Sequence, residues 1–349
     1  MRRLLALVPL LLPVATAAVT LDLVPIGDPA NEADPPGYCL AGGCGSVAEP
    51  FAISRFEVTN AEYAEFLNAV ADADPNGLWS PSMGSDARGG ITRSGGPGSY
   101  SYAVKAGRTA NPVVFVSFWD ALRFANWLHN GQPSGAQNAS TTEGGAYTLT
   151  SGAISGNTVT RNAGAQVFLP SDNEWYKAAY YDAGLGTFFN SPTSSDLAPD
   201  SAPPPASDNA ANIWEGTYAL TGSSALDASF NYLTDVGAYT LAASPYGTFD
   251  QAGNVWEWNE TIDPVTPANR GVRGGGWDDG PSLVSKTLPQ SLDPTDEGYD
   301  YGFRVATVPE PGAPLLAATG ALVLAMRRRF RRSLHARSGT FEKPRTCAW

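Results

Sequence analysis

The sequence predicts one loop-rich domain of mixed α+β class, and three observations predict it. Three short segments combine a helix-start signal with an apolar stripe at helical spacing. Short β candidates lie between them, and 37 Gly and 28 Pro among 349 residues break the remainder into loops. Nine Trp, fourteen Tyr and fourteen Phe still supply the bulk of a core.

The helix starts share one device. Thr59 precedes Glu62, Ser117 precedes Asp120 and Ser171 precedes Glu174, so a hydroxyl caps each first turn while an acid three residues on reaches back. The first helix then carries Tyr63, Phe66, Leu67 and Val70 on one face. The second carries Phe118, Leu122, Ala125 and Leu128, and the third Trp175, Ala178 and Ala179. All three read as amphipathic helices whose stripes face a core. Strands are expected within Phe51–Val58, Val113–Val116, Tyr147–Leu149, Val167–Leu169 and Phe303–Val305. The Gly- and Pro-rich stretches Pro75–Gly98 and Ser191–Asn209 read as surface loops or insertions, and no internal repeat stands out.

The two ends carry targeting signals. Residues 1–17 pair Arg2 and Arg3 with the apolar run Leu4–Val14 and end in Ala15-Thr16-Ala17, the pattern of a cleavable secretion signal. Residues 308–332 hold Val308-Pro309-Glu310-Pro311, an apolar stretch at 312–326, then Arg327, Arg328, Arg329, Arg331 and Arg332. As a helix that stretch is about 22 Å long against a hydrocarbon core of about 30 Å, so spanning needs help from its flanks. This segment resembles the PEP-CTERM sorting signal of exopolysaccharide-producing Gram-negative bacteria. The resemblance implies transient insertion in the inner membrane, cleavage near Pro309–Pro311 by an exosortase-type protease, and a final location at the cell surface or in the extracellular matrix. The basic tail 333–349 departs from the pattern, which ends soon after its arginines. Residues 18–49 are left as an N-terminal segment.

Between Ala18 and Met326, twelve Lys and Arg face thirty-three Asp and Glu, a net charge of −21. Nucleic acid is excluded as a partner, because phosphate binding rests on clustered positive charge. Acids in this number suit divalent cations. Cys39 and Cys44 either close a small disulfide loop in an oxidising compartment or remain two thiols; Cys347 lies in the tail.

An ordered series of motifs runs from about residue 50 to residue 307. It comprises Glu57-Val58-Thr59-Asn60; Pro112-Val113-Val114 with Trp119-Asp120-Ala121 and Asn126-Trp127-Leu128; Phe168-Leu169-Pro170-Ser171 with Glu174-Trp175; and Ala211-Asn212-Ile213-Trp214. It continues with Gly253-Asn254-Val255-Trp256-Glu257-Trp258, Arg273-Gly274-Gly275-Gly276-Trp277 and Gly302-Phe303-Arg304. In this order the series resembles the formylglycine-generating (sulfatase-modifying factor) family over residues 50–307. The resemblance implies that family's variant of the C-type lectin fold, with long loops held by aromatic packing and bound calcium.

Two calcium sites follow from the resemblance by position. Asp250, Gly253, Val255 and Glu257 match one, the acids through carboxylates and the other two through carbonyls. Asn212 and Ile213 match part of a second, with Asp227 or the Phe230 carbonyl completing it; oxygen-only ligation is what Ca2+ takes. Read from the residues alone, Glu257 is either a carboxylate held between two buried indoles and in need of a partner, or a solvated acid on a surface turn.

The same resemblance places the family's two copper-binding cysteines at Asp279 and Val284. Neither side chain offers the thiolate that Cu(I) needs, so no copper site is expected. A related branch holds iron on three histidines, but this chain has only His129 and His335, so no iron site is expected either. His129 reads as a helix-end residue. Trp277-Asp278-Asp279 stands where the reactive cleft falls. These residues bind a cation, stack on a sugar, act as acid and base, or form a solvated turn.

The leading expectation is an exported, calcium-stabilised module without catalysis that binds an extracellular glycan or protein. The alternatives are an oxidoreductase or other enzyme with different chemistry in that cleft, and an accessory protein that binds exported sulfatases.

Overall fold

The computed structural model describes residues 18–309. The secretion signal at 1–17, the apolar stretch at 312–326, the arginine cluster and the tail therefore lie outside the described residues. Among the described residues no helix is long and apolar enough to cross a membrane.

Two four-stranded sheets organise the domain. The first runs in the order β1 (Leu23–Ile26), β2 (Phe51–Ser54), β8 (Ala306–Thr307) and β3 (Val167–Phe168), all antiparallel. The second runs in the order β6 (Gln290–Leu292), β5 (Arg270–Arg273), β4 (Trp256–Ile262) and β7 (Tyr301–Phe303). Its β4–β7 pair is parallel and the others are antiparallel. Only Arg304 and Val305 separate β7 from β8, so this dipeptide carries the chain from one sheet to the other. Residues 18–49 contribute β1, the edge strand beside β2.

All three capping boxes form. They start α1 (Asn60–Val70), α2 (Phe118–His129) and α3 (Asp172–Tyr180) at the expected residues. In each, the acid accepts the cap residue's own N–H: Glu62 from Thr59 at 2.7 Å, Asp120 from Ser117 at 2.9 Å, Glu174 from Ser171 at 2.7 Å. The first stripe faces the core as expected, with Tyr63, Phe66, Leu67 and Val70 buried.

The other two helices are not amphipathic surface helices. Phe118 to Trp127 are buried without a break, and Asp172 and Glu174 to Tyr180 likewise. Burial all round is tolerated because the charged and amide side chains find partners, the Trp119 indole N–H being left without one. Arg123 pairs with Glu143 at 2.7 Å, and the Asn126 amide donates to the carbonyls of Thr142 and Tyr147. Lys177 Nζ reaches the Asp28 carbonyl at 2.6 Å.

One loop expectation and two strand expectations are also corrected. Pro75–Gly98 is not a surface insertion: Leu78, Met83 and Ile91 are buried, and the Tyr63 hydroxyl donates to the Leu78 carbonyl. It holds a short helix at Pro81–Ser85 and the first strand, Ile91–Ser94, of a hairpin with Ser101–Val104. Val113–Val116 is buried but not a strand, because Phe115 takes a φ of 62°, and Tyr147–Leu149 joins its neighbour by a single bridge, Tyr147 to Arg161. Ser191–Asn209 keeps its loop character apart from two residues of strand at Asp200–Ser201.

The core is aromatic. Phe124 lies 5.4 Å from Phe66 and 5.4 Å from Phe303, edge-on to both, and Trp127 completes the group. Such crossings favour the ring quadrupoles over face-to-face contact.

Candidate functional site

Strand β5 ends in three glycines that aim the next residues. Gly274 and Gly275 have φ of 97° and 74°, and a Cβ on Gly275 would lie 2.9 Å from the Val284 side chain. Only glycine permits both the conformation and the approach. The turn delivers Trp277, Asp278 and Asp279 to one face of the domain.

Trp277 does not line an open cleft. It is 1% exposed, with Tyr232 stacked on it at 4.5 Å and 8°, so its ring is a floor and not a platform for a sugar. Other aromatics reach solvent around it: Trp214 at 37%, Phe230 at 38% and Tyr299 at 39% exposed. They belong to one surface. Tyr299 lies 5.6 Å from Trp277, Phe230 lies 4.9 Å from Tyr232, and the Trp214 N–H donates to the Asp279 carbonyl. The Arg88 guanidinium covers the Tyr299 ring at 5.1 Å.

The acids of this surface converge. Asp278 accepts from the Tyr299 hydroxyl at 2.8 Å, and Asp279 accepts from the Gly276 N–H at 2.8 Å. Asp300 joins them, with one carboxylate oxygen from each residue falling within 4.8 Å of the others. Sequence reasoning missed Asp300. It precedes the Gly302-Phe303-Arg304 motif, but only the parallel β4–β7 pairing, with Trp256 N–H donating to the Asp300 carbonyl, brings it to Asp279. Burial, and then the charges of Asp278 and Asp279, push Asp300 up to about 8, so it holds a proton at neutral pH. Burial also raises Asp279.

The second matched cysteine position is sealed. Val284 is fully buried and packs with Ala211, Ile213 and Ala252. With Asp279 bound to its own turn, this surface has neither a soft ligand nor an open seat for copper at these two positions.

The residues matched to calcium divide into those that fit an ion and those already engaged. Glu257 is not solvated: it is fully buried, both its oxygens accept from Arg304, and one also accepts from the Trp175 indole at 2.7 Å. Beside it, Asp250 accepts from the Gly237 N–H at 2.5 Å and faces Glu57. Glu57 Oε2 is buried without a hydrogen-bond partner, and the Gly253 and Val255 carbonyls receive none among the described residues. Three buried carboxyls thus face one guanidinium, and burial holds Glu57 well above the usual carboxylate range while Asp250 rises to about 6. The orphaned Glu57 oxygen and the surplus negative charge would suit a hard cation here, with Glu57, Asp250 and the two carbonyls as the candidate donors. Sequence reasoning assigned neither Glu57 nor Arg304 a role.

The second matched set is dispersed. The Asn212 amide donates to the Tyr232 carbonyl and to Asn254, and the Ile213 carbonyl accepts from Ser201. The Asp227 carboxylate is solvent-facing and turned onto Ser229. His129 accepts from the Gln166 N–H at the end of α2.

The fold and this surface define a formylglycine-generating-type domain. Residues 44–308 match the sulfatase-modifying factor enzyme 1-like domain, and the chain belongs to that family. It is 26% identical to the formylglycine-generating enzyme of Thermomonospora curvata over 231 residues, covering 60% of this chain and 59% of that protein. It is 24% identical to the hercynine oxygenase of Mycobacterium tuberculosis, covering 73% of this chain and 50% of that protein. The chain thus spans between half and three fifths of these two relatives. A mouse protein, inactive C-alpha-formylglycine-generating enzyme 2, is 27% identical and matches 74% of this chain and 75% of its own length. Among solved structures, CarF superposes with a TM-score of 0.52 at 21% identity, over 83% of this chain and 99% of its own, which supports the fold.

Asp300 sets a direction for stability against pH. Its carboxyl, raised from 3.8 to about 8, keeps a proton that the unfolded chain releases, so its contribution is full below about pH 4 and is lost as pH rises through about 8. Denaturant melts of the wild type are expected to show stability falling over that range. Asp300→Asn is expected to flatten the fall, leaving the part due to Asp279, Asp250 and Asp120, whose values are raised in the same direction. Parallel curves for the two proteins would contradict the assignment.

Proposed function

We propose that this protein is an exported, surface-sorted member of its family that performs no oxidation and binds an extracellular glycan on the Trp214–Phe230–Tyr299 surface. This reading is supported by Asp279 and the buried Val284 standing at the positions that the family resemblance gives to the two thiolates, beside three half-exposed aromatic rings and a cluster of acids. Aromatic faces bury the apolar C–H faces of sugars, while Asp278 supplies an acceptor that orients hydroxyls. The mouse relative whose name marks it inactive is a precedent within the family for a chain without the activity. Export and sorting rest on the sequence of the two ends, residues 1–17 and 308–332.

Binding is read by affinity electrophoresis through gels containing acidic and neutral bacterial polysaccharides. Retardation by at least one is expected, with Tyr299→Ala weakening it roughly tenfold, the effect of losing about 1.4 kcal/mol of stacking. No retardation in any gel, or equal retardation of Tyr299→Ala, would count against this surface.

Calcium is proposed as a structural ion at Asp250, Glu57 and the Gly253 and Val255 carbonyls. At a hundredfold excess over Kd, ligand binding adds about 2.7 kcal/mol to stability. Melting is expected to shift upward with calcium and downward with chelator in the wild type, and not to respond in Asp250→Asn. A wild type indifferent to chelator would remove the ion from the account.

A further inference from the structure

Cys39 and Cys44 are absorbed neither by the glycan-binding surface nor by the calcium proposal. Both are buried, at 7% and 0% exposure, within a small cluster formed with Trp175, Tyr176, Tyr180 and Phe188. The structure carries them as free thiols, and the two face each other.

The short loop between them is fixed on α3 at several points. The Leu40 N–H donates to Asp172 at 2.9 Å, Asn173 donates to the Gly42 carbonyl at 2.9 Å, and the Gly45 N–H donates to Asn173 at 3.1 Å. Gly42 and Gly43 both take positive φ, 72° and 73°, so the chain reverses within the loop and returns Cys44 to Cys39. Asp172 is also the partner of Arg273 at 2.7 Å, and Arg273 holds the Tyr38 carbonyl at 2.6 Å. The loop is therefore a clasp that joins the N-terminal segment to the first turn of α3 and to strand β5.

We propose that Cys39 and Cys44 form a disulfide that locks this clasp in the exported protein. Two S–H bonds break and one S–S bond forms. The two electrons and two protons pass to a disulfide oxidant of the exporting compartment, which leaves as its dithiol. Only the supply of that oxidant rests on the export reading. Only four residues separate the two thiols, so little further freedom is lost when they join, and the bond then denies the unfolded chain the open loop.

The surroundings also set the order of events. Burial, and then the nearby Asp172 carboxylate, hold the Cys39 thiol well above the usual thiol range. A thiol kept protonated attacks disulfides slowly. Oxidation therefore precedes docking of the loop on α3, and the docked pair resists both oxidants and alkylating agents.

The test uses the full chain, refolded from denaturant in a buffer of oxidised and reduced glutathione, then unfolded again in denaturant at low pH, blocked there with a maleimide and digested with trypsin. No Lys or Arg lies between Ala18 and Arg55, so Cys39 and Cys44 fall in one tryptic peptide, separate from Cys347. The expected peptide is lighter by two hydrogens than the reduced form and takes no maleimide until it is reduced. A peptide carrying two maleimides after oxidative refolding, or Cys39 or Cys44 joined to Cys347, overturns the proposal. As a second reading, a reductant is expected to lower the melting temperature of the wild type by about 3–4 °C and to leave Cys39→Ala/Cys44→Ala unmoved. Equal responses of the two proteins likewise overturn it.

Discussion

The fold depends on one buried ion pair, Arg304 with Glu257, each fully withdrawn from solvent. Every arm of the guanidinium is engaged. It grips both oxygens of Glu257 and donates to the carbonyls of Ser54, Arg55 and Phe249. Glu257 in turn accepts from the Trp175 indole. Strand β2 of one sheet, strand β4 of the other, helix α3 and the loop before Asp250 therefore meet at a single charge. Removing two ions from water costs several kcal/mol each, and the cost is offset only when geometry and extra hydrogen bonds are as complete as they are here. This is why a chain with so little regular structure has one arrangement.

The same construction is repeated along β5. Arg273 pairs with Asp172 beneath the clasp, and Arg270 donates to Asn157 and to the carbonyls of Glu260 and Val159. The strand is thus pinned at both ends by buried arginines before it enters the glycine turn. The turn at 277–284 leaves this rigid strand with Trp277 and Val284 packed inward at its two ends and Asp278 and Asp279 facing the surface. Cysteines there can give way to Asp279 and Val284 while the scaffold stays unchanged, and for that reason membership of the family defines the fold and leaves the activity to the side chains of the rim.

Local signals were legible in the sequence. Three hydroxyl–acid pairs fixed the starts of α1, α2 and α3, because a capping box is a contact between residues three apart and needs nothing distant. The ordered motifs identified the domain, and Asp279 and Val284 could be read as non-thiol positions directly. Long-range contacts were not legible. Nothing near Glu257 in the chain reveals that Arg304 is its partner, forty-seven residues on. The acid cluster was read as Asp278 and Asp279 because adjacency is visible, while Asp300 reaches them only through a parallel strand pair. The second and third helices read as amphipathic because Arg123, Asn126 and Lys177 look like surface residues until their buried partners are placed. Trp277 failed as a platform for the same reason: the stacked Tyr232 is remote in sequence and covers it.

The central proposal is that this chain keeps the family fold without the family's oxidative chemistry. It is tested most directly by incubating the purified full-length protein with copper, oxygen and a peptide bearing a sulfatase-type cysteine, and following the peptide by mass spectrometry. The account predicts unchanged peptide, because hard carboxylate and buried isopropyl side chains at 279 and 284 cannot hold Cu(I). Formylglycine formed above a control without the protein would contradict it.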